Sequence, residues 1–297
     1  MVLVVSVALG ACTQLDGISF GKRFTKMSEA TNWLKPETRT ALSEKIKKVI
    51  TPDADVTRSY PRGIDSMPSS ELVNMDVGYE LISKTLCAET DTDIMRLLIP
   101  QFSSKSDIDY CNANDTIVRQ VSEYATRFRC FQPDSVDLYI NEIGTRLDWK
   151  DARYEDFALL GYYKIAFNNE TIVSIVFIVM WNARTAAHPN HDSFSININL
   201  TTGELIDIRS RYDFNDEFVE LFYEKFKDWN LRSWQDVLVE LDYFDSRLKK
   251  QLSADSNTSY YLTEDKLGMI LTGFPFAIGN YCPIEIPYEA IERFKTE

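Results

Sequence analysis

Between Ile172 and Trp181 the chain is apolar on both faces, with Ile172, Val176 and Ile178 on one side and Val173, Ile175 and Phe177 on the other. Such a strand belongs in the centre of a covered sheet. From Phe194 the pattern becomes strict alternation: Phe194, Ile196, Ile198 and Leu200 face one way, Ser195, Asn197 and Asn199 the other. This predicts a strand covered on one face only, and the run Asn199 to Leu205 then reads as a tight reversal. Upstream, Tyr79 to Thr85 and Ile94 to Ile99 have strand character, the second stopped by Pro100. Apolar residues at 111, 117, 118, 121, 125 and 128 predict a helix over Ile108 to Phe128 with Cys111 on its core face. Tyr162 to Phe167 leads into Asn168-Asn169-Glu170, a hairpin turn.

After the reversal, Phe214, Phe218, Leu221, Phe222, Phe226 and Trp229 line one predicted helix. Ser233 and Asp236 resemble a capping box for a second, whose stripe is Val237, Leu238, Leu241, Leu248 and Leu252. Tyr260 to Leu262, Leu267 to Leu271 and Ile284 to Ile286 return as strands. Strands in both halves with segregated helices predict an α+β protein. It should consist of two mixed sheet/helix modules packed together, with largely antiparallel strands. The expected division is a leader at 1–12, an N-terminal helix and linker at 13–77, a first module at 78–182 and a C-terminal module at 183–297.

At 297 residues the chain has ample material for a core. Acidic residues outnumber Lys plus Arg by 45 to 32, which argues against nucleic acid, whose phosphates need a basic footprint. A negative surface permits a cationic partner and speeds encounter with one, although it also serves plain solubility. The opening MVLVVSVALGAC resembles a lipoprotein leader with its lipobox, Leu9-Gly10-Ala11-Cys12, without the usual basic residue before the apolar run. It implies lipidation of Cys12 and a place in the bacterial cell envelope, on the periplasmic or extracellular face. The competing reading is a buried N-terminal strand. No other segment approaches the ~20 apolar residues of a membrane span. Cys87, Cys111, Cys130 and Cys282 make an even set that allows three pairings and contains no C-x-x-C.

Three stretches carry a family resemblance: YYKIAFNNETIVSIVFIVMWNARTAAHPN, FSININLTTGELIDI, and YYLTEDKLGMILTGFPFAIGNYCPIEIPYEAI. Together they resemble the paired extracytoplasmic module of unknown function found in the lysozyme-sensing anti-sigma factor ectodomain (RsiV-like). The same module accompanies peptidoglycan deacetylases of the PdaC type. The resemblance covers about residues 78 to 297, and Thr185 and Ala186 stand where that family usually has glycines. It implies a non-catalytic binding module and marks His188, Pro189 and Asn190 as its structural or binding loop. A cationic lysozyme-like protein is the partner it implies. A peptidoglycan or carbohydrate-binding accessory protein is the alternative, and a hydrolase with an unrecognised carboxylate pair a second one.

Other constellations add little. His188 and His191, the only histidines, could join Asp192 in a metal site, but a third ligand would have to come from elsewhere. The family signature accounts for His188 as a hydrogen-bonding residue, so no metal and no cofactor are expected. No phosphate-binding, dinucleotide or G-x-S-x-G motif is present. The aromatics Phe274, Phe276, Tyr281 and Tyr288 could form a carbohydrate platform, with core packing the commoner use.

Overall fold

The computed structural model describes residues 72–74, 76–105, 108–132, 136–142, 156–183, 190–234, 258–272 and 281–296. Six strands form the larger sheet: β1 (Tyr79–Glu89), β2 (Asp93–Ser104), β3 (Tyr139–Asn141), β4 (Phe157–Asn168), β5 (Ile172–Ala183) and β6 (Asn190–Asn199). Their order is β3-β1-β2-β4-β5-β6. Only the β2–β4 pair is parallel, and helix α1 (Cys111–Ala125) lies in the crossover between them. Parallel neighbours need such a long connection, whereas antiparallel ones close with a short turn. The smaller sheet is an antiparallel meander of β7 (Ser259–Leu262), β8 (Lys266–Thr272) and β9 (Tyr281–Pro287). Helix α2 (Asp216–Trp234) precedes it and a four-residue helix, α3 (Tyr288–Ile291), follows it. The fold is α+β, as the patterning predicts.

The packing makes four layers. Ala113, Ile117, Val121 and Tyr124 of α1 bury one face of the large sheet, against Leu159, Tyr163, Val173, Ile175, Phe177, Ile196 and Ile198. On the opposite face, Ala166, Val176 and Ile178 meet Tyr261 and Ile270 of the small sheet. The far side of the small sheet then packs Leu267, Met269, Leu271 and Ile284 on Phe218, Phe222 and Phe226 of α2. The doubly apolar β5 is thus the central strand of a sheet covered on both sides. Helix α2 begins where Asn215 accepts the Phe218 amide at 3.0 Å. Asp216 and Glu217 sit in its first turn, the favourable end of the dipole for acids. The second predicted helix of this region (236–252) lies outside the described residues. Among the described residues no helix is long and apolar enough to cross a membrane.

Three expectations change. Cys111 opens α1 and is exposed, a free thiol like the buried Cys87 and half-buried Cys130. The core-facing positions of the first turns are Ala113 and Thr116 instead. The polar face of β6 does not simply look into water: Asn197 is buried and Ser195 half-buried against the small sheet. The expected boundary at 182/183 falls at the last residue of β5, which pairs with β6 over ten positions from Ile172↔Asn199 to Trp181↔Asn190. The strand predicted to open the second module therefore completes the sheet of the first.

Candidate functional site

The reversal after β6 is built around Gly203, the one glycine at positive φ (75°) among the described residues. Its amide donates to the Asn199 carbonyl at 2.8 Å. A Cβ there would lie 2.6 Å from the Asn112 backbone, so only glycine suits both the left-handed conformation and the close approach to α1. Thr116 of α1 donates its hydroxyl to the Gly203 carbonyl at 2.9 Å, clasping the turn to the helix. Beyond it Leu205 makes one antiparallel bridge with Ile198, and the chain then leaves the edge of β6.

A groove of about 300 Å³ opens where it leaves. Its lining comes from four places: Gln120 of α1; Ser195, Ile196 and Asn197 of β6; Leu205 to Arg209; and Thr258 to Tyr260 at β7. Asp207 is the only carboxylate among these residues and Arg209 the only cation. The Arg209 guanidinium lies 5.9 Å from the centre of the Tyr260 ring, within the range of a cation–π contact. Burial is the main cause that pushes the Tyr260 phenol up to about 12, with Arg209 pulling the other way. Among the described residues no group reaches good hydrogen-bond geometry at that buried hydroxyl. Leu205 is 45% exposed on the rim.

The groove's inner wall is a polar latch. Ser195 Oγ and Asn197 Nδ2 both donate to the Tyr260 carbonyl, at 2.5 and 2.6 Å. Ser174 Oγ donates to Asn197 Oδ1 at 2.7 Å and accepts the Leu262 amide at 2.9 Å. Strand β7 ends the small sheet, and its free backbone edge would be costly to bury unpaired. Side chains of β5 and β6 supply what a neighbouring strand would have supplied. The alternation of 195, 197 and 199 pointed to this face but not to its partner.

The residues singled out by sequence fall elsewhere. Asn190 is half-buried at the start of β6, paired with Trp181. Cys12, His188 and Pro189 lie outside the described residues, as do Phe274 and Phe276. Adjacent residues of a strand point to opposite faces, so His191 and Asp192 diverge. Asp192 turns to α1, accepting the Tyr124 hydroxyl at 2.9 Å and the Ser193 amide at 2.8 Å. Burial raises its carboxyl above the ordinary aspartate value, against those hydrogen bonds and the charge of Arg127. Tyr288 belongs to the α2-side core, donating its hydroxyl to the Thr263 carbonyl at 3.1 Å. Gln120, Asp207, Arg209 and Tyr260 were not anticipated. They come from three separate parts of the chain and form no motif.

No family model matches the sequence. No curated protein matches it. Among solved structures the chain is similar to a DUF3298 family protein from Pseudomonas aeruginosa PAO1, at 13% identity and a TM-score of 0.45, over 73% of this chain and 94% of that one. It is also similar to a DUF3298 member from Bacteroides fragilis, at 14% identity and a TM-score of 0.41, over 77% of this chain and 96% of that one. Both neighbours belong to a family of domains whose function is unknown.

Proposed function

We propose that this protein is a non-catalytic binding module of the bacterial cell envelope, tethered through Cys12, and that the groove beside β6 receives part of a protein ligand. The observation that carries this reading is the groove's make-up. Polar groups of Gln120, Ser195, Asn197, Thr258 and Ser259 stand beside Ile196, Leu205, Ile206 and Ile208 in an open channel, the mix of apolar surface and placed polar groups that suits a protein ligand. Among the described lining residues Asp207 is the single carboxylate, which does not favour the carboxylate pair that the hydrolase alternative would need. The net charge of −13 suits a basic partner, and resemblance to the lysozyme-sensing anti-sigma ectodomain (RsiV-like) and the PdaC-type accessory module points to a lysozyme-like one.

Titration of the full chain with lysozyme at low and physiological ionic strength tests this. The association rate should fall steeply with added salt, because long-range attraction steers the encounter. Dissociation should change less, since close contacts set it. Saturable binding at physiological salt supports the reading. Binding that disappears there, or that any unrelated acidic protein matches, overturns it; retention on purified cell wall instead would promote the glycan alternative. Fatty-acid labelling that survives in the wild type and is lost in Cys12→Ala checks the tether.

A further inference from the structure

Helix α1 meets β6 along one polar stripe. Thr116, Gln120 and Tyr124 follow one another at four-residue spacing, the spacing that keeps side chains on a single helix face. The two outer members are tied to opposite ends of β6. Thr116 donates to the Gly203 carbonyl just past the strand, and Tyr124 donates to the Asp192 carboxylate near its start, each at 2.9 Å. Both side chains are buried, and the Tyr124 ring also stacks on Phe194 at 4.3 Å. The helix is thus pinned one turn before Gln120 and one turn after it.

Gln120 is the one residue of α1 that lines the groove, and it is half-buried. Among the described residues its carboxamide bonds only Glu123, exposed and on the same helix, at 2.8 Å. Other polar side chains of the lining are spent on the fold. Ser195 and Asn197 hold the Tyr260 carbonyl, and Asp207 accepts the Arg209 amide at 2.9 Å. Gln120 therefore brings to the groove a carboxamide that holds no wall in place, on a backbone that is fixed from both sides. A fixed backbone lowers the ordering cost of a contact made on binding.

We infer that Gln120 is the residue through which α1 contacts the protein ligand, and that Thr116 and Tyr124 are positioning residues that hold it at the groove. This rests on the protein-binding reading above and assigns residues to it. A carboxamide accepts one hydrogen bond and donates another, the pair of contacts that a backbone peptide group of the ligand returns. Thr116 serves the facing wall as well, because Leu205 to Arg209 follow directly on the turn that it clasps.

Lysozyme affinity of the full chain at physiological ionic strength, with hydrogen exchange over residues 200–206, tests this. Gln120→Ala should weaken binding about tenfold, the effect of one lost hydrogen bond, at an unchanged melting temperature. Thr116→Val should weaken it by a similar factor and speed exchange of the Gly203 and Ile206 amides. Thr116→Ser keeps the hydroxyl and should restore both. Wild-type affinity in Gln120→Ala overturns the contact. Faster exchange in Thr116→Val at wild-type affinity overturns the positioning role, since a purely structural clasp would give that result. Either outcome leaves the protein-binding reading standing. Should Thr116→Val fail to fold, Tyr124→Phe makes the same test from the other pin, with exchange followed at Ser193. A wild-type chain that does not bind lysozyme brings down the reading and this inference together.

Discussion

The two faces of β5 and β6 are made by the same alternation yet held by different forces. Toward α1 the contacts are apolar: Phe177 stacks on Phe194 with centroids 4.8 Å apart and planes 7° from parallel, and Tyr124 stacks on Phe194 at 4.3 Å. Toward the small sheet, Val176 and Ile178 still pack against Tyr261 and Ile270, but the edge of β7 is held by Ser174, Ser195 and Asn197. The apolar face gains from removing area from water and tolerates small displacements. The polar face gains little per hydrogen bond beyond what water offers, and loses much when a partner is left alone. One face supplies stability; the other fixes where the second sheet sits.

This contrast can be broken at its strong side first. Phe177→Ala should cost ~3–5 kcal/mol, the usual range for emptying a buried phenyl site, read from denaturant unfolding. A loss below ~1 kcal/mol would mean that the α1 face is not the main source of stability. Ser174→Ala should cost less, ~1–3 kcal/mol, because the Leu262 amide and Asn197 Oδ1 would each lose a partner in a buried setting. Combined with Asn197→Leu, its effect should be clearly non-additive, since both residues serve one network. Additive losses would show that the latch is a set of separate contacts.

The smallest effect sharpens the picture where β6 meets α1. Burial raises the folded-state value of Asp192, so the native state holds its proton at pH values where the unfolded chain has released it. The associated stability is complete below the ordinary aspartate value of ~3.9 and is lost as pH rises through the raised one. Asp192→Asn can still accept the Ser193 amide and can donate its own amide to the Tyr124 oxygen, and it carries no charge. It should melt above the wild type at neutral pH, and this advantage should shrink as pH falls through the raised value and be gone below about pH 4. A constant difference across that window would show that the charge is not what costs stability there.

Much of the fold was legible because period and burial speak directly. The two-faced β5, the Asn168–Glu170 turn and the three C-terminal strands follow from spacing and turn chemistry alone. Cys111 was misplaced because a six-position stripe fixes the period of a helix better than its phase in the first turn, where Ala113 and Thr116 face the core. The outward Ser and Asn residues of β6 were read as solvated because a serine beside water and one beside a peptide carbonyl look alike in sequence. For the same reason the groove was invisible. Its parts are ordinary polar residues from α1, β6, the segment after the turn and β7, brought together only by the docking of one sheet on another.

The reach of the closing contacts has a consequence for how this chain is made. Thr116 bonds Gly203 across 87 positions, the Leu262 amide reaches Ser174 across 88, and Asn168 holds the Val73 amide across 95. Loops of this length must close before their contacts return anything, and domains dominated by such pairings fold on the order of milliseconds to seconds. Synthesis adds a longer delay. Val176 and Ile178 leave the ribosome roughly ninety residues ahead of Ile270, which at ~5–20 residues per second is about 5–20 s. Through that interval the nascent chain carries an apolar strip and a row of unmatched Ser and Asn side chains. It is then a natural client for a chaperone that binds extended apolar segments.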